Sequence, residues 1–347
     1  MQYRKLGNSG FIIPAISFGT VTFGGGNDIV KAWGDSSLKE ARELIDICLD
    51  YGANSFDTAD GYSAGKSEEM LGELSQGRRH KLFLATKTGM PMGQGVNDSG
   101  TSYAKIISSC EASLKRLRTD YIDLYYLHCF DALTPIEESL RAIDVLIRSG
   151  KIRYFGVSNY SGWHLMKMLA LCERHFLPKP AVHQLYYSLA AREAENELLP
   201  LALDQNVGTM VWSPLSGSFL TGKISRSKNP PSTSRLSTKA AWQVDKNKLF
   251  EIIDELENIA KECNHSVAQV ALAWLLARPS ISSLIVGARN KDQLIENLRA
   301  SELVLSKEQI NRLTKISSTR PAYPYWHQQE TTGHRDPRVF DYGTCVL

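Results

Sequence analysis

From about residue 15 to residue 300, short apolar runs alternate with longer stretches whose apolar positions recur at helical spacing. That is the pattern of strands each followed by a helix. It predicts strands over residues 16–19, 54–57, 82–87, 121–128, 152–157, 181–186, 208–212 and 283–286. A first helix is expected to begin near Asp35 and Ser36, which are good capping residues, and to present Leu38, Ala41, Leu44, Ile45 and Cys48 on one face. Further helices are expected over residues 67–74, 103–117 and 268–277. Another should start at Thr134-Pro135, with the proline in its first helical position, and stop at Gly150. The strands are apolar almost throughout rather than alternating, as in a parallel sheet covered on both faces. Eight such units suggest an α/β fold of the (β/α)8 barrel type, filling residues 1–347 as a single domain.

Two segments lie outside this repeat. Residues 3–6 and 11–13 flank Asn8-Ser9-Gly10, which reads as an N-terminal β-hairpin able to cover the bottom of the barrel. The C-terminal segment, 318–347, is rich in proline and aromatics, shows no helical period, and is a candidate to line the active site. Residues 225–237, rich in Ser, Pro, Lys and Arg, read as a mobile surface loop.

Composition narrows the function. The 40 basic and 37 acidic residues are spread along the chain, for a net charge of +3. Such a balance gives no footprint for nucleic acid or an anionic membrane. The six cysteines, Cys48, Cys110, Cys129, Cys172, Cys263 and Cys345, have no CxxC or metal-finger spacing, so no metal is expected. The start Met1-Gln2-Tyr3-Arg4-Lys5 lacks the apolar core of a signal peptide, and no apolar run is long enough to span a bilayer. These features point to a cytoplasmic protein with reduced thiols. Its partner is expected to be a small molecule.

Chemistry in such a barrel gathers at the C-terminal ends of the strands. Those ends carry Asp57 and then Tyr62, Lys87, His128, Ser158 with Asn159, Gln184, and Trp212 with Ser213. Any one of them has a plain structural role open to it: a phenol at the surface, a lysine reaching solvent, a core histidine. Four proton-active groups gathered at the strand ends of one barrel are hard to explain by packing. A phenol ionises near pH ~10. A neighbouring cation such as Lys87 lowers that value, and Lys87 in turn needs an anion, which Asp57 can supply. His128 can donate a hydrogen bond to a substrate oxygen or join the proton path. The set suits protonation of a carbonyl oxygen while hydride arrives at its carbon.

Several ordered motifs resemble those of aldo-keto reductases. They are Phe56-Asp57-Thr58-Ala59-Asp60-Gly61-Tyr62 with Ser67-Glu68 and Leu71-Gly72, then Thr86-Lys87, Asp123-Leu124-Tyr125-Tyr126-Leu127-His128 and Gly156-Val157-Ser158-Asn159. Trp212-Ser213-Pro214-Leu215 and Val286-Gly287-Ala288-Arg289, with Gln293-Leu294 and Glu296-Asn297, complete a set reaching to about residue 315. The resemblance implies a barrel that binds NADPH or NADH in an extended pose, without the glycine fingerprint of dinucleotide-binding α/β folds. It implies Asp57, Tyr62, Lys87 and His128 as the catalytic set, with Tyr62 as general acid in reduction and general base in reverse. Ser158, Asn159 and Gln184 look like ligands of the nicotinamide carboxamide, and Trp212 like the ring that stacks on it. Ser213, Pro214, Leu215 and Gly217 would hold the pyrophosphate through the backbone, with Lys223 adding charge. Gly19 and Thr20, at the end of the first strand, belong to the same expected cofactor site, as do Gly287, Gln293, Glu296 and Asn297.

The last motif departs from the animal aldose-reductase branch, which meets the adenosine-ribose phosphate with Lys, Ser and a second Arg. Here Gly287, Ala288 and Gln293 stand at those places, a pattern similar to many bacterial reductases and potassium-channel β subunits. Arg289 and a helix starting near Lys291 can still meet a 2′-phosphate, which favours NADP(H) over NAD(H). Trp33, Phe130 and Trp326 are candidate walls of the substrate pocket. Two rivals stand beside a carbonyl reductase: a Schiff-base enzyme acting through Lys87, and a redox-sensing regulatory subunit that keeps its cofactor and turns over slowly. Which carbonyl is reduced, and whether the cell runs the reaction as alcohol oxidation, is left open by the residues.

Overall fold

The apolar runs fold as expected because each is buried on two sides. A computed structural model of the chain describes residues 1–25, 35–229 and 245–332. Eight parallel strands form a closed barrel: β3 (Ile16–Gly19), β4 (Ser55–Asp57), β5 (Phe83–Thr88), β6 (Ile122–Leu127), β7 (Ile152–Ser158), β8 (Val182–Tyr186), β9 (Gly208–Trp212) and β10 (Ile281–Val286). They neighbour one another in chain order, and β10 closes on β3 through Leu284 opposite Ile16 and Val286 opposite Phe18. From Leu124 onward the side chains of β6 alternate between two cores. Ile122, Tyr125 and Leu127 join the layer between barrel and helices, whereas Leu124 and Tyr126 fill the barrel itself. Both faces are therefore apolar, which is why the sequence lacks the strict two-residue alternation of a half-exposed strand.

Inside the barrel, the Tyr126 hydroxyl reaches across to Met210 Sδ at 3.0 Å. The ring has room because β7 carries Gly156, where a Cβ would meet the Tyr126 ring at 2.8 Å and Val182 O at 2.7 Å. The bottom is closed by an antiparallel hairpin of β1 (Tyr3–Lys5) and β2 (Ile12–Pro14), with Arg4 opposite Ile13. Leu6 and Ile13 are fully buried against Phe83, Ala181 and Val182 at the strand starts. Gly7 makes this approach possible. It has φ of +54°, and a Cβ there would lie 2.0 Å from Ala181 O and 2.5 Å from Gly208 N. Left-handed strain and overpacking together should make Gly7→Ala cost about 2–4 kcal/mol. A denaturant midpoint within error of wild type would show that the hairpin does not bear on the barrel floor.

The helices are α1 (Leu38–Asp50), α2 (Lys66–Leu74), α3 (Tyr103–Leu117), α4 (Ile136–Arg148), α5 (Gly162–Arg174), α6 (Leu198–Asp204), α7 (Lys246–Cys263), α8 (Val267–Leu276), α9 (Lys291–Arg299), α10 (Lys307–Ile316) and α11 (Tyr325–Thr332). Two expected starts move. The cap of α1 is Ser37, whose side chain accepts from Glu40 N while the Glu40 carboxylate accepts from Ser37 N, a capping box that neither Asp35 nor Ser36 makes. Pro135 is itself the cap of α4, with extended ψ of 134°, so the helix begins one residue later than expected. The C-terminal segment also differs, because α11 forms without an apolar stripe. It is anchored by the Tyr325 hydroxyl on Glu197 and by the Arg320 guanidinium over the Trp326 ring at 4.8 Å. Of the surface loop expected at 225–237, residues 230–237 lie outside the described residues. Its start is tied by Ser225 N to Lys228 O at 3.0 Å and by Arg226 to Asp254 at 2.8 Å.

Among the described residues no helix is long and apolar enough to cross a membrane, and no group of three or more potential ligands is placed to hold a metal. Cys48, Cys110, Cys129, Cys172 and Cys263 are free thiols, and Cys345 lies outside the described residues.

Candidate active site

The upper ends of the strands surround a cavity of about 560 Å³. Strand β4 delivers Asp57, β5 delivers Lys87, and His128 follows β6; all three side chains are buried. Lys87 Nζ donates to the Asp57 carboxylate, to Thr58 O at 2.7 Å and to the Tyr62 hydroxyl at 3.4 Å. The second Asp57 oxygen accepts from Gln184 Nε2 at 2.8 Å, so both of its oxygens are engaged. The Tyr62 and His128 rings meet edge to face, with centroids 6.0 Å apart.

Local backbone strain holds Tyr62 in place. The single turn Tyr62–Gly65 carries Ser63, Ala64 and Gly65 at φ of 50°, 54° and 94°. Non-glycine residues there cost of order ~1 kcal/mol each. The Ser63 hydroxyl secures the turn by donating to Phe23 O at 2.9 Å. The Ser67-Glu68 pair that follows has a structural task. Ser67 Oγ is within 2.8 Å of Thr20 Oγ1 and 2.9 Å of Thr58 Oγ1, and the buried Glu68 carboxylate accepts from Thr86 and from Arg116 at 2.6 Å. These bonds lock α2 against the segments that bear Asp57 and Lys87. Asp123 is likewise structural, accepting from Arg79 at 2.7 Å and from Leu84 N at 2.8 Å.

The electrostatics differ from the simple expectation in one respect. Burial raises the Tyr62 phenol above its ordinary range; Lys87 pulls it back, and Asp57 opposes Lys87. The expected lowering by Lys87 is present but outweighed by burial. Burial also works against the Lys87 ammonium, yet Asp57 and Tyr62 together hold its pKa above that of a free lysine. Burial and the Lys87 charge push His128 down to about 3, so the imidazole is neutral at physiological pH. Its Nδ1 is buried without a hydrogen-bond partner.

The remaining candidates fall into two groups. Gly19, Ser158, Asn159, Gln184, Trp212, Ser213, Pro214, Leu215, Gly217, Lys223, Gly287, Arg289 and Gln293 line the same cavity as Asp57, Tyr62 and His128. Asn159 has φ of +58° and bonds in three directions: Nδ2 donates to His128 O and Ser158 Oγ, both at 3.0 Å, and Oδ1 accepts from Trp212 Nε1 at 3.1 Å. Trp212 stacks on Tyr186 at 4.9 Å between centroids, so one face is packed while the residue borders the cavity. After β9 the backbone enters the left-handed region at Ser213, Ser216, Gly217 and Ser218, and the Ser213 hydroxyl accepts from Gly217 N at 3.0 Å. The N–H groups of Ser216, Ser218, Phe219 and Leu220 likewise donate to backbone oxygens within the turn, which closes it on itself rather than leaving a row of free donors. At the far end Asn290 caps α9, and Arg289 and Gln293 flank its start.

The other group does not border the cavity. Lys87 lies behind Tyr62. Thr20 is buried with its hydroxyl on Asp57 O at 3.2 Å. Glu296 offers its backbone oxygen to Gln269 at 3.1 Å, and Asn297 Nδ2 reaches Gly287 O at 3.4 Å. Phe130 is not among the cavity's lining residues; its ring stacks on His164, centroids 3.5 Å apart, and packs edge-on against Tyr160. Trp326 is held under Arg320. Trp33 lies outside the described residues. The sequence reading missed Val21 and Met90, which border the cavity, and Tyr186 behind Trp212. Tyr186 was findable, being two residues after Gln184 and so on the same strand face. Met90 sits in a loop with no periodic signal.

A model of the aldo/keto reductase family matches residues 15–318. The chain belongs to that family. It is 38% identical over 327 residues to an uncharacterized oxidoreductase, YrpG, of Bacillus subtilis, covering 91% of this chain and 96% of that protein. A probable voltage-gated potassium channel subunit beta of rice is 35% identical over 332 residues, covering 92% and 98% of the two chains. One from Arabidopsis thaliana is 35% identical over 335 residues, covering 93% and 99%. The family and the oxidoreductase relative make this an oxidoreductase that uses NAD(P)H on a small molecule.

Proposed function

We propose that this aldo/keto reductase reduces an aldehyde or ketone to the alcohol, reversibly, with Tyr62 as the proton donor and NADPH favoured over NADH. The observation that carries the reading is Lys87 Nζ, bonded at once to the Asp57 carboxylate and the Tyr62 hydroxyl beside the cavity.

The donor set of the cavity fits a nicotinamide dinucleotide. Ser158 and Asn159 offer donors and acceptors to the carboxamide; Gln184 can use its oxygen, since its nitrogen is spent on Asp57. Trp212, backed by Tyr186, supplies a flat face, and Lys223 beyond the turn after β9 supplies a cation for the pyrophosphate. When bound, the cofactor supplies the hydride in reduction and accepts it in oxidation. The chain manages the proton. Tyr62 gives its proton to the carbonyl oxygen, and the resulting phenolate is stabilised by the Lys87 ammonium until it is reprotonated. The neutral His128 imidazole donates a hydrogen bond that orients the carbonyl. Asp57 keeps Lys87 charged, which also argues against a Schiff-base nucleophile, since an ion-paired ammonium has no free lone pair.

Cofactor fluorescence quenching followed by turnover on an aldehyde and ketone panel tests the reading; no cofactor binding and no turnover on any member would refute it. Arg289 is exposed at the end of the cavity. Arg289→Ala should weaken NADPH about three- to tenfold, and NADH hardly at all, because a surface charge on a phosphate is partly screened. Equal loss for both cofactors would remove Arg289 from 2′-phosphate recognition.

The names of the two plant relatives favour a second reading, in which cofactor redox state is sensed for a partner protein. Slow turnover across the whole panel together with stable partner binding would support it.

A further inference from the structure

Strand β8 presents side chains to two sides, and one of them lies outside the cavity. Gln184 turns inward to Asp57, at 2.8 Å; His183, its neighbour in sequence, is on the other face and is 0% exposed. The His183 imidazole Nε2 is 3.3 Å from the backbone nitrogen of Tyr160. That N–H is the second of two in a row that the turn after β7 sends to β8. The Asn159 N–H donates to Gln184 O at 3.1 Å, and the Tyr160 N–H donates to the His183 ring. Asn159, between those bonds, holds φ of +58°, a region that a residue with a Cβ resists. The same turn brings Asn159 Nδ2 to Ser158 Oγ at 3.0 Å and Asn159 Oδ1 to Trp212 Nε1 at 3.1 Å. We propose that His183 is a positioning residue for the cofactor: by accepting the Tyr160 N–H it fixes the left-handed turn that presents Ser158 and Asn159 to the nicotinamide carboxamide. This role rests on the reductase reading, which assigns His183 nothing.

The hydrogen bond fixes the tautomer. A backbone N–H only donates, so Nε2 accepts and the ring proton sits on Nδ1. Burial pushes the imidazole down to about 4, so the ring is neutral at physiological pH and its acceptor is available. Tyr160 is itself buried, and a buried amide N–H needs an acceptor. The other ring nitrogen, Nδ1, is buried without a hydrogen-bond partner, so what the ring contributes is the acceptor at Nε2. An apolar side chain of similar size would fill the space without burying an unpaired N–H, and packing alone therefore does not account for an imidazole. His183 stands opposite Val157 and Gln184 opposite Ser158, so both bonds close the turn immediately past the end of β7. Without the acceptor the Tyr160 N–H is stranded, and a turn that relaxes to satisfy it moves the Asn159 amide off Ser158 and Trp212. Lys223 and Arg289, the cations expected at the pyrophosphate and the 2′-phosphate, follow β9 and β10 and do not depend on this turn.

His183→Met keeps the reach of the side chain and removes the acceptor, whereas His183→Gln restores an acceptor at that reach. His183→Met should weaken NADPH binding about tenfold, because the stranded amide works against the turn that the carboxamide needs. Its affinity for 2′-phospho-ADP-ribose, the same cofactor without the nicotinamide, should stay within about twofold of wild type. His183→Gln should recover most of the NADPH loss. Equal NADPH affinity in His183→Met and wild type would overturn the proposal, and so would a parallel loss of both ligands, the mark of a general loosening. A second readout needs no variant. The ring nitrogens of wild-type His183, assigned through bonds to its own backbone, should show the proton on Nδ1 near neutral pH, with Nε2 coupled across the hydrogen bond to the Tyr160 N–H. A proton on Nε2 would overturn the proposal even if neither variant folds. Each of these contrary results leaves the reductase reading intact. A wild type that binds neither NADPH nor 2′-phospho-ADP-ribose would instead refute that reading, and this role with it.

Discussion

Tyr62→Phe should lower kcat for carbonyl reduction by about 10³-fold or more while leaving the NADPH dissociation constant within about twofold of wild type. General acid catalysis by a positioned side chain is worth about 10²–10⁴-fold. The upper part of that range is expected because the cavity offers no substitute. His128 is neutral at physiological pH, with a pKa pushed down to about 3, and Lys87 is buried behind the phenol in its pair with Asp57. Removing one oxygen leaves the ring, its contact with His128 and the turn Tyr62–Gly65 in place, so the fold and the cofactor surface should persist. Steady-state rates and fluorescence titration on the same preparations separate the two effects. Substantial activity in Tyr62→Phe would transfer the proton to another group and dismantle the mechanism.

Lys87→Met should lose turnover by about 10²–10⁴-fold and destabilise the protein as well. The Lys87 side chain is 0% exposed and that of Asp57 3%, so deleting the cation strands a buried carboxylate. Breaking one side of such a pair costs about 3–5 kcal/mol. The stranded Asp57 would hold its proton more tightly in the folded protein than in the unfolded chain. The variant should therefore be closest to wild-type stability at low pH and fall furthest behind as pH rises toward 7. Any residual alcohol oxidation should need a higher pH than in wild type, since the phenolate has lost its cation. Adding Asp57→Asn should recover part of the stability and none of the activity. Equal stability of Lys87→Met and wild type at pH 7, measured by denaturant titration, would contradict the buried pair.

The barrel was legible because parallel strands buried on both faces leave near-continuous apolar runs, and because helices of ordinary length separate them. The polar residue at the end of each run then stood out: Asp57, Ser158 and Trp212 are the last residues of their strands and Lys87 the next to last, whereas Gln184 sits in the middle of β8. What the sequence hid was of three kinds. The helix Tyr325–Thr332 has no apolar stripe to announce it, since it is held by Tyr325 on Glu197 rather than by a buried face. Phe130 carries an aromatic ring in a loop after a catalytic-looking strand, but its direction is decided by stacking on His164, a partner from α5 that no local pattern specifies. The Tyr62 phenol is set by a balance of burial against Lys87, and sequence supplies the partner without the depth of burial.

Hydride transfer itself is tested most directly by isotope. Single turnover of wild-type protein with cofactor deuterated at the nicotinamide C4 position and a non-deuterated aldehyde, in ordinary water, should give an alcohol with one deuterium on the former carbonyl carbon. The reciprocal experiment in heavy water with unlabelled cofactor should place no deuterium on that carbon, since the solvent-derived proton arrives on oxygen. Deuterium at carbon from solvent, or an alcohol free of cofactor deuterium, would contradict a site built to deliver hydride from the cofactor and a proton from Tyr62.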